Sequence, residues 1–206
     1  MMKKKLDVIM WISLICFIIL AILVKIKNQM LLDFDNQIGN FMLTKINVDN
    51  TNMFKIVAKL GSPLTTTIAI SIILSVLYFL KKKRLFFWSI GVFFGGSTLA
   101  LVFKYLIARK RPSDPLLFDS GYSFPSGHVT CTCLLLVVIL SIFLATIDDQ
   151  EQKFLLILVC GIFLILVMLS RIYLRAHYTT DVIGSILLSV FWTSLMLKFK
   201  RTEFTK

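Results

Sequence analysis

The sequence predicts an all-α integral membrane protein: a six-transmembrane helix bundle with short amphipathic helices in the first extracytoplasmic loop. Three observations carry this expectation. The 206 residues are 57% hydrophobic, more than an ordinary soluble domain needs. The apolar residues fall in long uncharged blocks, which is the signature of helices that cross a bilayer. The positive residues behind a formal net charge of +12 gather at the ends of those blocks, where they anchor a protein in its membrane. The same clustering sets nucleic acid aside as a partner. The four cysteines Cys16, Cys131, Cys133 and Cys160 lie inside apolar blocks and lack zinc spacing, so they read as small hydrophobes. Residues 1–206 read as a single membrane domain, without internal repeats or a low-complexity linker.

Six blocks start near Val8, Leu64, Phe86, Val129, Phe154 and Val182. Each needs about 20 residues of helix to cross hydrocarbon about 30 Å thick. The first follows Lys3, Lys4 and Lys5 but is not trailed by a small-x-small cleavage site, so it reads as a retained helix. Residues 27–62 form a long loop with Phe34, Ile38, Phe41 and Met42 at loosely helical spacing, which predicts amphipathic helices on the membrane surface. Within it Asp33, Asp35 and Asn36 resemble the start of a calcium loop, but the closing glutamate is missing and helix capping is the plainer reading. Residues 81–85 form a basic turn, residues 108–126 a second long loop, residues 148–153 a polar turn, and residues 175–181 the link to the last block.

Topology follows from this order. The end of span three and the start of span four share one side of the membrane, and so do the end of span five and the start of span six. The segments Lys104 to His128 and Arg171 to Asp181 therefore face the same compartment. Lys3 to Lys5, Lys81 to Arg84 and Lys198 to Arg201 fall on the opposite side, which the positive-inside rule makes cytoplasmic. The expected location is the cell (cytoplasmic) membrane, multi-pass, with the two charged segments on the extracytoplasmic face.

Those segments carry a constellation. The stretch KYLIARKRP supplies Lys104, Arg109, Lys110, Arg111 and Pro112, with Lys104 and Arg111 two helical turns apart and Pro112 stopping the helix. PSGH places Ser126, Gly127 and His128 at a helix start. SRIYLRAHYTTD supplies Arg171, His177 and Asp181. Cations beside apolar segments are costly unless paired or tasked, and Asp181 is the one carboxylate that the motifs place beside them. The missing anion is then a ligand. A phosphomonoester, with about −1.5 to −2 charges at neutral pH, fits. Arginine binds phosphoryl oxygens bidentately, and a helix N-terminus adds amides and a positive dipole end. Glycine at 127 lets oxygen approach the backbone. Two histidines point to turnover, one imidazole attacking phosphorus and a second protonating the leaving oxygen. Asp181 would hold the attacking ring in the right tautomer. A carboxylate cluster for magnesium is not evident, so no metal or other cofactor is expected.

The K-x6-RP of Lys104 to Pro112, the PSGH of Pro125 to His128 and the SR-x5-H-x3-D of Ser170 to Asp181 resemble, in order, the three signature motifs of the type-2 phosphatidic acid phosphatase family. The resemblance implies a metal-independent membrane lipid phosphatase. It implies His177 as a nucleophile that forms a phosphohistidine, Asp181 as its orienting partner and His128 as the general acid. It implies Lys104, Arg111, Ser126, Gly127 and Arg171 as the phosphoryl-binding set. Small bacterial members with this layout resemble undecaprenyl pyrophosphate phosphatases and phosphatidylglycerophosphate phosphatases, so the expected substrate is a phospholipid or polyprenyl (pyro)phosphate, and no obligate protein partner is implied. Family members often carry glycine where this chain has Arg175, a residue placed to meet a second phosphate, a headgroup or solvent.

Other residues take plainer readings. Snorkelling explains Arg109 and Lys110. Ser126 can cap its helix. Tyr122, Phe124, Tyr173 and Tyr178 suit an aromatic belt, and Asp114 and Asp119 suit a solvated loop. Two competing functions share the same features: an anion or lipid transporter, and a catalytically silent lipid-binding membrane protein. The first wants charges in mid-span, where the sequence has none. The second leaves His128, His177 and Asp181 without a task.

Overall fold

The computed structural model describes residues 2–202. Among them there are helices and connecting loops and no strand. In chain order the helices are α1 (Met2–Lys25), α2 (Gln29–Leu43), α3 (Val48–Leu60), α4 (Pro63–Phe79), α5 (Lys83–Ile90), a π-helical turn (Gly91–Gly95), α6 (Gly96–Ile107), α7 (Gly127–Phe143), α8 (Gln150–Tyr173) and α9 (Thr179–Thr202). Helix starts follow the local chemistry. Asn28, Asn47, Ser62 and Asp149 each turn a side-chain oxygen to a first-turn amide of α2, α3, α4 and α8, and Pro63 follows Ser62 at the first helical position.

Among the described residues, four helical segments are long and apolar enough to cross a membrane: Lys4–Lys25, Lys83–Ile107, Gln150–Tyr173 and Thr179–Phe199. Two expected blocks differ from a straight span. Helix α4 adjoins α3 at a 41° bend, and the two pass as a span only as a bent pair. Helix α7 has 17 residues, about 25 Å of rise. It is also well enclosed, with eight of its 17 residues buried between Val129 and Val138, so it needs less of its own length to face lipid.

The rod from Lys83 to Ile107 carries the π turn where Trp192 of α9 packs. A Cβ on Gly95 would lie 2.5 Å from the Trp192 ring. The indole Nε1 donates to the carbonyls of Gly91 and Val92 at 3.0 and 3.1 Å, satisfying acceptors at the irregular turn. Helix α1 packs along α9. Phe17 is fully buried between Phe103 of α6, at 4.7 Å between ring centroids, and Phe124 of the long loop, at 5.8 Å. Lys25 closes the far end of α6, donating to the carbonyls of Leu106 and Ile107 at 2.8 and 3.2 Å, the favoured place for a cation on a helix.

Two expectations about this region change. The sequence reading carries the third span's helix on to Pro112, with Lys104 and Arg111 on one face. In the structure α6 stops at Ile107, and Ala108 takes a left-handed conformation with φ 53°. Arg111 therefore reaches its neighbours from a loop. Tyr173, expected in an interfacial belt, is buried. Its ring lies 4.5 Å from Phe54, and its hydroxyl oxygen accepts from the Asn47 amide at 3.2 Å, tying α8 to the start of α3.

Candidate active site

The long loop after α6, the start of α7 and the α8–α9 turn meet at one end of the bundle. Phe124 is set by Gly184 of α9, where a Cβ would lie 2.5 Å from its ring. The next residues enter α7 over a polar clasp. The Ser126 amide donates to the Ser185 hydroxyl at 2.8 Å, and that hydroxyl is also within reach of the carbonyls of Asp181 and Ser126. Ser126 stands at the N-cap position of α7, yet its side chain caps nothing. Its hydroxyl is buried with no partner among the described residues, which corrects the capping expectation. Above Gly127 there is room: a Cβ there would meet only Pro63, at 3.7 Å.

His177 is almost fully buried. Its Nε2 lies 3.1 Å from Arg111 Nη1. A guanidinium only donates, so Nε2 is the acceptor and the ring proton sits on Nδ1. That nitrogen faces Asp181, with Nδ1 to Oδ2 at 3.5 Å, longer than a formed hydrogen bond. Burial lowers the His177 pKa to about 4, with Arg171 and Arg111 adding to the effect and Asp181 opposing it. His128 comes in from α7. One atom each from His128, His177 and Asp119 lies within 4.8 Å of the others, so the two imidazoles flank a common point.

The cations separate into two groups. Arg109, expected to snorkel, is instead a hub with its side chain only 10% exposed. Nη1 donates to Thr180 Oγ1 and Asp181 Oδ1 and Nη2 to Asp35 Oδ2, each at 2.7 Å, and its Cζ lies 3.9 Å from the centroid of the Tyr178 ring. Asp35 is likewise no cap. It is buried and also accepts from the Thr180 amide and hydroxyl at 2.9 and 2.6 Å. Sequence reading missed both because their partners come from helices far apart in the chain. The one available signal was an aspartate in an otherwise amphipathic helix.

The second group faces the imidazoles. Arg171 is fully buried. Nη2 donates to Asp119 in an ion pair, while Nε and Nη1 have no partner among the described residues. Arg111 spreads over the loop. Nε donates to the Gly121 carbonyl at 3.0 Å, Nη2 to that of Ser120 at 3.0 Å and Nη1 to that of Ala176 at 2.7 Å. Lys104 donates to the carbonyls of Tyr122 and Pro125 at 2.9 and 2.7 Å. Asp119, expected in solvent, pairs with Arg171 and lies 3.5 Å from Arg111. Burial pushes its carboxyl up, but Arg171 and Arg111, with the two histidines, outweigh this and hold it below the usual range. Asp119, His128 and His177 have donor types that suit a divalent cation, but the carboxylate is already neutralised by two guanidiniums. Arg175 sits apart, with φ 53° and Nε donating to the Ser113 carbonyl at 3.0 Å. It borders a small cleft with Asn36, Asn40, Pro112, His177 and Tyr178.

A helical membrane protein with imidazoles, guanidiniums and a helix start converging at one end of the bundle is the class that fold and site define. The family follows from comparison. The family model described as the PAP2 superfamily matches residues 86–204, and the chain belongs to that superfamily. Phosphatidylglycerophosphatase B of Bacillus subtilis (strain 168) is 35% identical over 95 residues. That match spans about half of each protein, 45% of this chain and 47% of the relative. The crystal structure of a transmembrane PAP2 type phosphatidylglycerolphosphate phosphatase from Bacillus subtilis superposes with a TM-score of 0.83 at 26% identity, over 94% of this chain and 96% of that one. LpxE of Aquifex aeolicus shares the fold, with a TM-score of 0.60 at 22% identity over 82% of this chain and 95% of that one.

Proposed function

We propose that residues 1–206 form one membrane lipid phosphatase domain that hydrolyses a phosphomonoester headgroup, with phosphatidylglycerophosphate as the leading substrate. One observation carries the reading. Beside two imidazoles that share a common point, a fully buried arginine keeps two nitrogens unpartnered and a buried serine hydroxyl does the same. Buried donors without acceptors are costly, and phosphoryl oxygens are the acceptors that fit. The two Bacillus subtilis relatives are named for phosphatase action on phosphatidylglycerophosphate, a headgroup of this class.

In the proposed reaction Arg111 moves its fork from His177 Nε2 to the phosphoryl group. Arg171, Lys104, the Ser126 hydroxyl and the first amides of α7 above Gly127 take the remaining oxygens. His177 Nε2 attacks phosphorus, the bond to the lipid oxygen breaks, and His128 gives that oxygen its proton. His177 becomes a phosphohistidine, its Nδ1–H held by Asp181 as the 3.5 Å contact shortens. Water then attacks phosphorus, His128 takes up the water proton, and inorganic phosphate leaves with the His177–P electrons returned to Nε2. Stabilisation comes from charge positioning, the main need of phosphoryl transfer.

The architecture in this reading has six spans, with α3 and α4 together supplying the second and α7 the fourth. The site faces the extracytoplasmic side, since Lys3 to Lys5 and Lys81 to Arg84 lie at the other end of the bundle. Phe118, 84% exposed on the site's own loop, reports the face. In a chain lacking its four native cysteines, Phe118→Cys should react with a membrane-impermeant maleimide from outside intact cells. Protection there, with labelling only after lysis, would reverse the orientation.

The deciding assay compares phosphatidylglycerophosphate, phosphatidic acid, undecaprenyl phosphate and undecaprenyl pyrophosphate in one detergent with excess chelator. Phosphate release, fastest from phosphatidylglycerophosphate, is expected. No release from any of the four would end the reading. A preference for the pyrophosphate would instead point to Arg175 and its cleft beside His177 as a seat for a second phosphate, and Arg175→Gly should then slow the diphosphate alone.

A further inference from the structure

A negative charge already sits where the substrate's phosphoryl group is proposed to bind. Asp119 Oδ2 is ion-paired to Arg171 Nη2 and lies 3.5 Å from Arg111 Nη1, and Asp119 shares the 4.8 Å cluster with His128 and His177. Arg171, Arg111, His128 and His177 are the residues that the proposed function gathers around the phosphoryl group. The loop around Asp119 is held by other means. The Leu116 amide donates to the Leu174 carbonyl at 3.0 Å, and Leu116 and Leu117 pack against Ala58, Tyr173 and Leu174. The carboxylate can therefore leave by rotating its own side chain, without opening the loop.

We propose that Asp119 is a specificity-determining residue. Its carboxylate is an internal anion that a ligand must displace, and it selects dianionic phosphomonoesters over the monoanionic phosphodiesters that make up bulk phospholipid. The inference rests on the proposed phosphatase reading for the identity of the site. Its physical basis is an exchange of one anion for another. A carboxylate brings one charge and two oxygens to Arg171 and Arg111. A phosphodiester brings one charge and two free oxygens, so the exchange gains little and costs a bulkier group in the seat. A phosphomonoester brings about −1.5 to −2 charges and three oxygens, which also reach the unpartnered Nε and Nη1 of Arg171 and the Ser126 hydroxyl. An enzyme embedded in diester lipid needs rejection of the wrong ligand as much as attraction of the right one. All ligands pay the same tax, set by the fraction of time the seat is free, so the arginines' own preference for the monoester is kept while the weaker diester is pushed below the occupancy that bulk lipid would otherwise give it.

The test reads affinity without turnover. Binding of inorganic phosphate and orthovanadate to detergent-solubilised full-length protein is measured by titration calorimetry for wild type, Asp119→Asn, Asp119→Ala and Asp119→Glu. Asp119→Asn and Asp119→Ala should bind both anions about tenfold more tightly, as removal of an occupant present about nine-tenths of the time requires, while Asp119→Glu stays near wild type. In mixed micelles phosphatidylglycerol should leave wild-type turnover of phosphatidylglycerophosphate unaffected but compete with it in Asp119→Asn. Unchanged or weaker phosphate binding in both neutral variants would overturn the proposal, because an aspartate that merely positions Arg171 would weaken the site when lost. The near-isosteric Asp119→Asn keeps the test open if the alanine variant misfolds. If wild type hydrolyses none of the lipids while the neutral variants still bind phosphate more tightly, the phosphatase reading fails and the displaced-anion seat stands.

Discussion

Two clusters of arginine and aspartate sit on either side of His177, and they are built to opposite rules. Behind the ring, Arg109 is matched on both sides by Asp35 and Asp181, stacked on Tyr178 and joined by Thr180. In front of it, Arg171 holds one aspartate and leaves two nitrogens unpartnered, and the Ser126 hydroxyl is idle. A closed network of buried charges fixes a geometry but contributes little net stability, because desolvation offsets attraction. An open one stores binding capacity for a ligand. The rear cluster reads as the mount for His177 and Asp181, and the front cluster as the seat for what His177 acts on.

The sharpest way to break that division is at the ring between the clusters. His177→Asn should cut turnover by about 10^4-fold or more, as deletion of a catalytic nucleophile does, while thermal unfolding in detergent stays cooperative. Retained turnover would remove His177 from its proposed role. Next in size is the rear mount. Arg109→Gln strips the partner from two buried carboxylates, and breaking a buried pair from one side costs about 3–5 kcal/mol. The expected outcome is a clear fall in the unfolding midpoint together with lost activity. The same substitution logic at the front, in Arg171→Gln, should weaken phosphate binding with a smaller fall in stability. Equal stability losses from the two variants would erase the distinction.

The division also explains what the sequence made legible. His128, His177, Asp181, Lys104, Arg111 and Arg171 were visible because each sits in a short local pattern, and the structure brings them to one end of the bundle. Arg109, Asp35 and Asp119 were not. Asp35 and Thr180 are 145 positions apart and Arg171 and Asp119 are 52 apart, and local spacing says nothing about contacts closed by tertiary packing. The helical blocks were readable from hydropathy, but the stop of α6 at Ile107 was not. Pro112 is the audible breaker, and the helix ends earlier, where Lys25 from α1 takes its last carbonyls.

A smaller effect concerns pH. The folded His177 ring titrates at about 4, below its ordinary 6.5, so between those values the unfolded chain binds a proton that the folded chain refuses. Stability therefore rises with pH across that window and levels above it. The charged neighbours are Asp181, Asp119, Arg111 and Arg171, with His128 facing the same point. Unfolding midpoints from pH 4.5 to 7 should climb for wild type and climb less for His177→Asn. Parallel curves would mean that the ring is not held neutral by its burial.

The smallest predicted effect separates the two clusters most finely. Ser126 stands at a helix start, where an ordinary serine would cap, and its replacement by alanine would then cost about 1 kcal/mol of stability. Its hydroxyl caps nothing here, and the helix is held instead by the Ser185 clasp on the Ser126 backbone. Ser126→Ala removes no protein hydrogen bond and relieves a buried, unpartnered hydroxyl. Stability should hold or rise slightly, while KM for the lipid monoester rises about tenfold for the loss of one hydrogen bond to a charged oxygen. Ser185→Ala should do the reverse, lowering stability by releasing the α7 start from α9, with its kinetic cost following from that loss. If Ser126→Ala destabilises without touching KM, the hydroxyl belongs to the scaffold and the front cluster loses one of its donors.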